Sequence, residues 1–148
     1  MPQSLSNILV HLVFSTKDRQ PVILAPVADR LWRYLAGTCT ACGCQAHRVG
    51  GTADHVHVAC SLARTIAVSD LLEEIKKSSS KWMKTQGVPE FAWQNGYGAF
   101  SIGQSQLDGV VAYVGRQEEH HRRRTFQEEY REFLRKYKVP YDERYVWD

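Results

Sequence analysis

Two histidines spaced one residue apart are the clearest chemical signal in this sequence. They lie in residues 54–58 (Asp-His-Val-His-Val), whose alternation is typical of a β-strand. Side chains at positions i and i+2 of a strand point to the same face, so His55 and His57 are expected side by side while the valines face a core. Two neutral imidazoles held in this way form half of a divalent metal site. A pair of surface or core histidines is the other interpretation of this pattern.

A second group of polar side chains shares one face of a helix predicted over residues 106–121. On a helical wheel Tyr113, Gln117 and His120 fall together, and Tyr113 lies about 100° from the centre of a stripe of leucine and valine. A tyrosine that served only as core filler should lie among the valines. Taken alone, however, Tyr113 can be a half-exposed packing residue and Gln117 an ordinary surface residue.

Together the two groups indicate phosphoryl-transfer chemistry. Two imidazoles and a side-chain amide oxygen leave positions on a divalent ion open for phosphate oxygens or water. Such an ion polarises the scissile P–O bond, so a phenol with an ordinary pKa of about 10 can act as the nucleophile. The product would be a 5'-phosphotyrosine with a free 3'-OH. Attack by a different 3'-OH would rejoin the strand without ATP.

The elements expected to position these residues follow the order β-α-β-β-α-β. Strands are predicted over residues 6–16, 45–49, 53–62 and 96–102. Gly50 and Gly51 are expected to form the turn between the second and third strands, and His11 in the first strand is expected to be packed rather than catalytic. This order predicts an α+β fold of the ferredoxin-like (RRM-like) type, an antiparallel sheet with two helices on one face.

Helices account for most of the remaining sequence. The predicted elements are helices that begin at Pro26 and at Ser69 and Asp70, two further helices over residues 106–121 and 125–138, and an aromatic, charged tail over residues 141–148. The first of the two C-terminal helices carries Tyr113, and the tail is expected to pack on a subunit surface.

Composition is that of an ordinary globular protein. The 148 residues are 43% hydrophobic and 24% charged, with a net charge of +3 and a sequence pI of about 8.7, which neither requires nor excludes nucleic acid. No apolar run approaches the ~20 residues of a membrane span, and no signal-peptide pattern follows Met1. A single cytoplasmic domain over residues 1–148, without a membrane partner, is therefore expected.

Two short basic segments are candidates for contact with phosphates, although a solvated helix face is the other interpretation of each. They comprise Lys76, Lys77, Lys81 and Lys84 in the first and Arg122, Arg123 and Arg124 in the second.

Four cysteines also suggest a zinc site at first sight. Cys39, Cys42 and Cys44 follow a Cys-x2-Cys-x-Cys pattern, with Cys60 further along. Because the pattern lacks a second Cys-x2-Cys pair, we expect reduced thiols near a helix end rather than a structural metal site.

Four stretches of the sequence resemble the HUH-type single-tyrosine transposases of bacterial and archaeal insertion sequences, and their relatives associated with repetitive extragenic palindromes. In the family's order, these stretches are residues 11–17 (His-Leu-Val-Phe-Ser-Thr-Lys), 54–57 (Asp-His-Val-His), 93–101 (Trp-Gln-Asn-Gly-Tyr-Gly-Ala-Phe-Ser) and 113–121 (Tyr-Val-Gly-Arg-Gln-Glu-Glu-His-His). The combination of Asp-His-Val-His with Tyr-x3-Gln is specific, whereas either motif alone is weak.

The resemblance implies roles for individual residues and a substrate class. By their places in the motifs, His55 and His57 correspond to the paired metal ligands, Gln117 to the third ligand and Tyr113 to the nucleophile. The family uses magnesium or manganese, acts on single-stranded DNA with hairpin ends, and forms homodimers. In several members the tyrosine helix of one subunit completes the histidine site of the other.

A binding role without cleavage is the alternative to this enzymatic interpretation. A dimer of the same fold can grip hairpins of single-stranded DNA or RNA, with Trp93 or Tyr97 stacking an unpaired base. The presence of all four implied site residues argues mildly against a site that no longer turns over. A two-histidine phosphoesterase would need a second His-x-Ser/Thr strand, which the sequence lacks.

Overall fold

A four-stranded antiparallel sheet forms the centre of the protein in a computed structural model, which describes residues 2–148. The strands are β1 (Leu9–Ser15), β2 (Gln45–Gly51), β3 (His55–Ser61) and β4 (Gly98–Ile102). They lie in the order β2-β3-β1-β4, and each neighbouring pair is antiparallel. The predicted α+β, ferredoxin-like fold is therefore confirmed.

Helices cover both faces of this sheet. The helices are α1 (Ala25–Ala41), α2 (Val68–Lys84), α3 (Leu107–Gly115), α4 (Gln117–His120) and α5 (Phe126–Lys136). Short 3-10 turns occur at Lys17–Arg19 and Gln104–Gln106. Within residues 2–148, every helix is too short or too polar to cross a membrane.

The two central strands, β1 and β3, are buried on both faces, and their alternation separates two cores. Leu12 and Val58 pack with the apolar faces of α1 and α2 in the larger core. On the opposite face, Val13 packs with Phe126 and Tyr130 of α5. The histidines of β3 alternate with its core valines, so they lie on the α5 side of the sheet.

The predicted turn at Gly50 and Gly51 is wrong, because both residues belong to β2 and pair with His57 and Val56 of β3. Their lack of a side chain serves close packing instead. A Cβ atom added to Gly50 would lie 2.6 Å from the carbonyl oxygen of Val114. Only glycine lets α3 approach the edge strand this closely.

The helix predicted over residues 106–121 is broken into α3 and α4. Arg116 has φ −114° and ψ 29°, outside the helical region. Gly115 weakens the helix just before the break, and the Arg48 guanidinium packs where a Cβ of Gly115 would lie, 3.0 Å from Arg48 Nη2. The break separates Tyr113 on α3 from Gln117 on α4.

Other helix boundaries lie close to their predicted positions. Helix α1 begins one residue before Pro26, and Thr125 caps α5 by accepting a hydrogen bond from the Glu128 backbone N–H at 3.2 Å. Ser69 and Asp70, however, do not cap α2. They lie in its first turn, because the helix begins at Val68.

The C-terminal tail packs on its own chain. The Trp147 ring contacts two guanidinium groups, with Arg19 Cζ at 5.7 Å and Arg131 Cζ at 5.1 Å from its centroid. The Asp148 carbonyl oxygen accepts a hydrogen bond from the Gly96 backbone N–H at 2.8 Å. These contacts hold the tail beside α5 and the segment before β4.

The four cysteines are free thiols, as expected. Cys39, Cys44 and Cys60 are fully buried in the larger core. No group of potential metal ligands within residues 2–148 includes any of them.

Candidate active site

The paired histidines stand on one face of β3, and neither side chain is exposed to solvent. Their ring centroids are 5.2 Å apart. His57 Nδ1 lies 2.8 Å from His11 Nε2, so these two rings share one proton in a hydrogen bond. His11 is packed, as predicted, and it also fixes the orientation of the His57 ring.

Tyr113 lies beside this histidine pair within the same chain. Its ring centroid is 5.8 Å from that of His57. The hydroxyl donates a hydrogen bond to Glu129 Oε2, and Arg124 Nη2 donates to the hydroxyl oxygen at 3.0 Å. The phenol and the imidazoles thus come together without a second subunit.

Gln117 joins the same cluster from α4. Its side-chain Oε1 lies 3.0 Å from His55 Nε2, and its Nε2 donates to the Tyr113 carbonyl oxygen at 3.4 Å. The other ring nitrogen of His55 lies 2.7 Å from Asp54 Oδ1. The structure therefore brings together all four residues that the sequence motifs assign to the site.

Glu129 of α5 is the central residue that sequence reasoning missed. Its carboxylate is fully buried, and Oε1 lies 3.0 Å from His57 Nε2 and 3.5 Å from His55 Nε2. The signal for it was present in the sequence. Glu129 stands three residues after Phe126 and four before Phe133, at the edge of the apolar stripe of its helix, where a carboxylate points inward.

His121 completes the cluster and provides a test of whether a metal ion fits. Its Nε2 is buried and makes no hydrogen bond, although it lies 3.1 Å from Glu129 Oε1. Donor atoms of His55, His121 and Glu129 all lie within 4.8 Å of one another. Imidazole nitrogens with amide and carboxylate oxygens are a suitable donor set for a divalent ion such as Mn²⁺. The residues present therefore fit the metal that the family implies.

Burial controls the protonation of this cluster. It lowers the pKa of His57 to about 4, against the opposing effect of the Glu129 carboxylate. Burial, with the positive charge of His57, also lowers the pKa of His11 to about 3. Burial alone would raise the pKa of Glu129, but the adjacent imidazoles of His121 and His57 hold it well below its usual range. At neutral pH His11 and His57 are thus neutral beside the ionised Glu129 carboxylate.

The ordinary phenol pKa expected for Tyr113 is wrong. Burial raises the pKa of Tyr113, and the negative charge of Glu129 and its hydrogen bond to the phenol raise it further. The nearby Arg124 guanidinium only partly offsets this effect. The phenol is therefore protonated in this arrangement.

Acid should destabilise the protein through these buried histidines. The unfolded chain protonates a histidine near pH 6.5 and the folded chain protonates His57 near pH 4, so the unfolded state binds more protons between these values. Lowering the pH across this interval should reduce the free energy of unfolding by about 3 kcal/mol for His57 alone. Urea unfolding at pH 7, 5.5 and 4.5 measures it. A His57→Gln variant should show a weaker pH dependence, and equal slopes for both proteins would contradict the assignment.

The predicted basic segments lie on different sides of the sheet. Arg122, Arg123 and Arg124 line a cleft of about 460 Å³ that His121 also borders. The α2 segment, by contrast, is on the helix layer across the sheet from the histidines. There Lys76 donates to the carbonyl oxygens of residues 95 and 96, and burial lowers its pKa to about 8.

Of the remaining residues predicted to contact DNA, some are exposed to solvent and one is buried. Lys77, Lys81 and Lys84 are exposed on α2. Trp93 cannot stack on a base, because it is buried in the larger core and its indole N–H donates to Ser79 Oγ at 2.9 Å. Tyr97 keeps 39% of its surface exposed and is open to solvent.

Paired histidines on a central strand and a tyrosine on a following helix, built on this sheet, are the arrangement of the HUH-type single-tyrosine transposases. The chain belongs to the IS200-like transposase family, since the family model described as "Transposase IS200 like" matches residues 4–117.

Solved structures have a similar fold. One is a candidate transposase of Deinococcus radiodurans R1, with 19% sequence identity and a TM-score of 0.65 over 79% of this chain and 95% of that chain. Another is a REP-associated tyrosine transposase bound to a REP hairpin, with 15% identity and a TM-score of 0.61 over 82% of this chain and 72% of that chain. Comparison with curated protein sequences gave no match.

Proposed function

We propose that this protein is a metal-dependent transposase for single-stranded DNA, which cuts and rejoins strands through a 5'-phosphotyrosine at Tyr113. One distance supports this proposal most directly. Within a single chain, the ring centroids of Tyr113 and His57 are 5.8 Å apart. A phenol at that distance can reach a phosphate positioned by the histidine cluster.

The proposed reaction exchanges one phosphodiester partner for another. The Tyr113 oxygen forms a bond to phosphorus, and the bond from phosphorus to the 3'-oxygen of the preceding nucleotide breaks. The phenol loses its proton, and the departing 3'-oxygen takes one up. Attack by a different 3'-OH on the phosphotyrosine reverses these steps, so the strand is rejoined without ATP.

Magnesium or manganese is the proposed cofactor. We propose that His55, His57 and Gln117 hold it, as the family resemblance implies, with Glu129 and His121 at the same centre. When bound, the ion would neutralise non-bridging phosphate oxygens and polarise the scissile bond. Ligand histidines must be neutral, which is the form that burial favours for His57.

Arg124 and Glu129 act on the Tyr113 phenol in opposite directions. The Arg124 guanidinium, 3.0 Å from the phenol oxygen, favours the phenolate, whereas Glu129 accepts the phenol hydrogen bond and favours the neutral form. In the proposed reaction the hydroxyl leaves Glu129 for the phosphate. Arg124 remains beside the Tyr113 oxygen and the phosphate, and its guanidinium stabilises the negative charge that develops on their oxygens.

Hairpin-bearing single-stranded DNA is the proposed substrate, and a homodimer is the proposed assembly. A structural neighbour is described as bound to a REP hairpin, and Arg122, Arg123 and Arg124 line a cleft at the site. The α2 lysines would contact only DNA that extends around the sheet. Because Tyr113 reaches His57 of its own chain, each subunit of the proposed dimer would carry a complete site.

A covalent adduct tests this function. The probe is a 3'-labelled oligonucleotide library with a central hairpin and randomised single-stranded flanks, incubated with the protein and Mn²⁺. We expect label that stays on the protein through denaturing electrophoresis, because the 3' fragment is joined through its 5'-phosphate. EDTA should prevent the adduct. Labelled protein that forms equally well in EDTA would contradict metal dependence.

The alternative function is hairpin binding without cleavage, and one observation favours it. The Tyr113 hydroxyl donates a hydrogen bond to the Glu129 carboxylate. Burial and the negative charge of Glu129 raise the pKa of Tyr113, so the phenol stays protonated. If the protein retains labelled hairpins in a native gel but forms no adduct at any Mn²⁺ or Mg²⁺ concentration, the binding function is the correct one.

A further inference from the structure

A cleft of about 430 Å³ opens between α3 and α5, directly beside Tyr113. Its floor includes His11 of β1 and Ile102 of β4. The volume lies within the range of sites that hold small organic ligands. The proposed chemistry gives no role to this space.

One wall of the cleft is aromatic and held in place by packing. The Phe133 ring packs edge-on against His11, with centroids 5.2 Å apart, and stacks with Phe100 at 5.5 Å. Tyr137 also stacks with Phe100, at 4.8 Å. Two fixed aromatic rings therefore border the cleft on the α5 side and offer a surface for a flat ligand.

The opposite wall is formed by α3 and includes a glycine, so no side chain projects into the cleft at that position. Gly109 borders the cleft, and a Cβ atom added there would meet no other atom within 4 Å. The neighbouring wall residue Val110 is partly buried. A planar group can therefore enter beside α3 without displacing the protein.

The cleft is lined by two cations and by two carboxylates, of which Glu129 contacts the histidine cluster and Glu132 pairs with Arg124. Lys136 lines it with its ammonium 5.5 Å from the Tyr137 ring centroid, and no carboxylate within residues 2–148 forms an ion pair with this ammonium. Arg124 lines the same space and reaches the Tyr113 hydroxyl, although it also pairs with Glu132. A flat aromatic wall with a free cation matches a nucleotide, which has a flat base and an anionic phosphate.

We infer that this cleft binds the unpaired nucleobase next to the phosphate that Tyr113 attacks, stacked on Phe133 and Tyr137, with Lys136 on the backbone phosphate. The inference rests on the proposed function. A strand whose phosphate lies at the Tyr113 hydroxyl must continue past the Tyr113 ring, where the cleft begins. The occupant is thus single-stranded DNA with its base turned inward.

Filling the cleft tests this inference without any cleavage. Gly109→Trp places an indole in the cleft, and Gly37→Trp is the matched control, because Gly37 of α1 also has no atom within 4 Å of an added Cβ. The probes are fluorescein-labelled dT10 and an abasic strand of equal length, measured by anisotropy in EDTA. We expect dT10 to bind Gly109→Trp about 5- to 150-fold more weakly than Gly37→Trp. The abasic strand should bind both variants equally.

Equal dT10 affinity for the two variants would overturn the inference. Thermal melting checks that Gly109→Trp is folded, and Lys136→Gln provides a second variant if it is not. Lys136→Gln should reduce the slope of log affinity against log salt for dT10 by about one phosphate contact, and an unchanged slope would overturn the role of Lys136. Because EDTA prevents cleavage, failure of the adduct experiment and failure of cleft binding are separate results.

A crosslinking experiment locates the base directly. Oligonucleotides with 5-iodouracil at each position in turn are irradiated with the wild-type protein in EDTA, and crosslinked peptides are identified by mass spectrometry. We expect crosslinks at Phe133 or Tyr137. Crosslinks found only on the α2 side of the sheet would overturn the inference.

Discussion

Tyr113→Phe should abolish the covalent protein–DNA adduct and leave DNA binding intact. The substitution removes the only oxygen of this side chain that can attack phosphorus, while the ring keeps its packing against His57 and His120. Loss of a nucleophile typically costs on the order of 10⁴-fold or more in rate. The adduct should therefore fall below detection in the assay with 3'-labelled hairpin oligonucleotides and Mn²⁺, and the native-gel affinity should change by less than about threefold.

Tyr145→Phe is the matched control for this substitution. Tyr145 lies in the C-terminal tail and is 63% exposed. The Tyr145→Phe protein should therefore form the adduct at the wild-type level. Mass spectrometry of the adduct should place the nucleotide on the peptide that contains Tyr113. Wild-type adduct formation by Tyr113→Phe would show that another phenol attacks, with Tyr137 the first to examine because it lines the same cleft.

His57→Ala should weaken metal binding by at least tenfold and remove metal-dependent cleavage. The substitution deletes an imidazole whose Nε2 lies 3.0 Å from Glu129 Oε1, and it leaves the buried carboxylate without one of its donors. Electron paramagnetic resonance of free Mn²⁺ measures the affinity without DNA, and the adduct assay measures cleavage. His57→Asn, which keeps a donor for Glu129, serves as the second variant if the alanine variant is unstable.

His47→Ala is the control for the loss of an imidazole. His47 bonds at 2.7 Å to Ser61, which lies at the opposite end of β3 from His55, so Mn²⁺ affinity should not change.

The same Mn²⁺ titration distinguishes two sets of metal ligands. If His57→Ala keeps wild-type Mn²⁺ affinity while His121→Ala and Glu129→Gln lose it, the ion is held by the group of His55, His121 and Glu129, and not by the set that the motifs imply.

The fold, and the strand and helix faces on which the motif residues lie, could be predicted from the sequence because these depend on local periodicity. Alternation along residues 54–58 placed His55 and His57 on one face of a strand, as the structure has them. Helical spacing separated Tyr113 from the valines of its helix. Both patterns depend only on residues that are close together in the sequence, so they can be recognised without knowing which distant segments are in contact.

The sequence was insufficient where distant segments decide the outcome. Glu129 belongs to the cluster because α5 packs across the sheet, which a helical wheel of α5 alone does not show. The raised pKa of Tyr113 follows from that same contact and from burial. Gly50 and Gly51 resembled a turn because glycine is common in turns. Here Gly50 lets α3 lie against β2, and Gly51 lets β2 lie close to the backbone of His55.

The close approach of Val114 to Gly50 means that the position of Tyr113 depends on an edge strand that contributes no residue to the proposed reaction. Tyr113 immediately precedes Val114, whose carbonyl leaves no room for a methyl group at position 50. A methyl there would push the whole α3 segment outward and carry the hydroxyl with it. A homologue with every motif residue intact and alanine at this position would thus look competent in an alignment yet hold its tyrosine out of range.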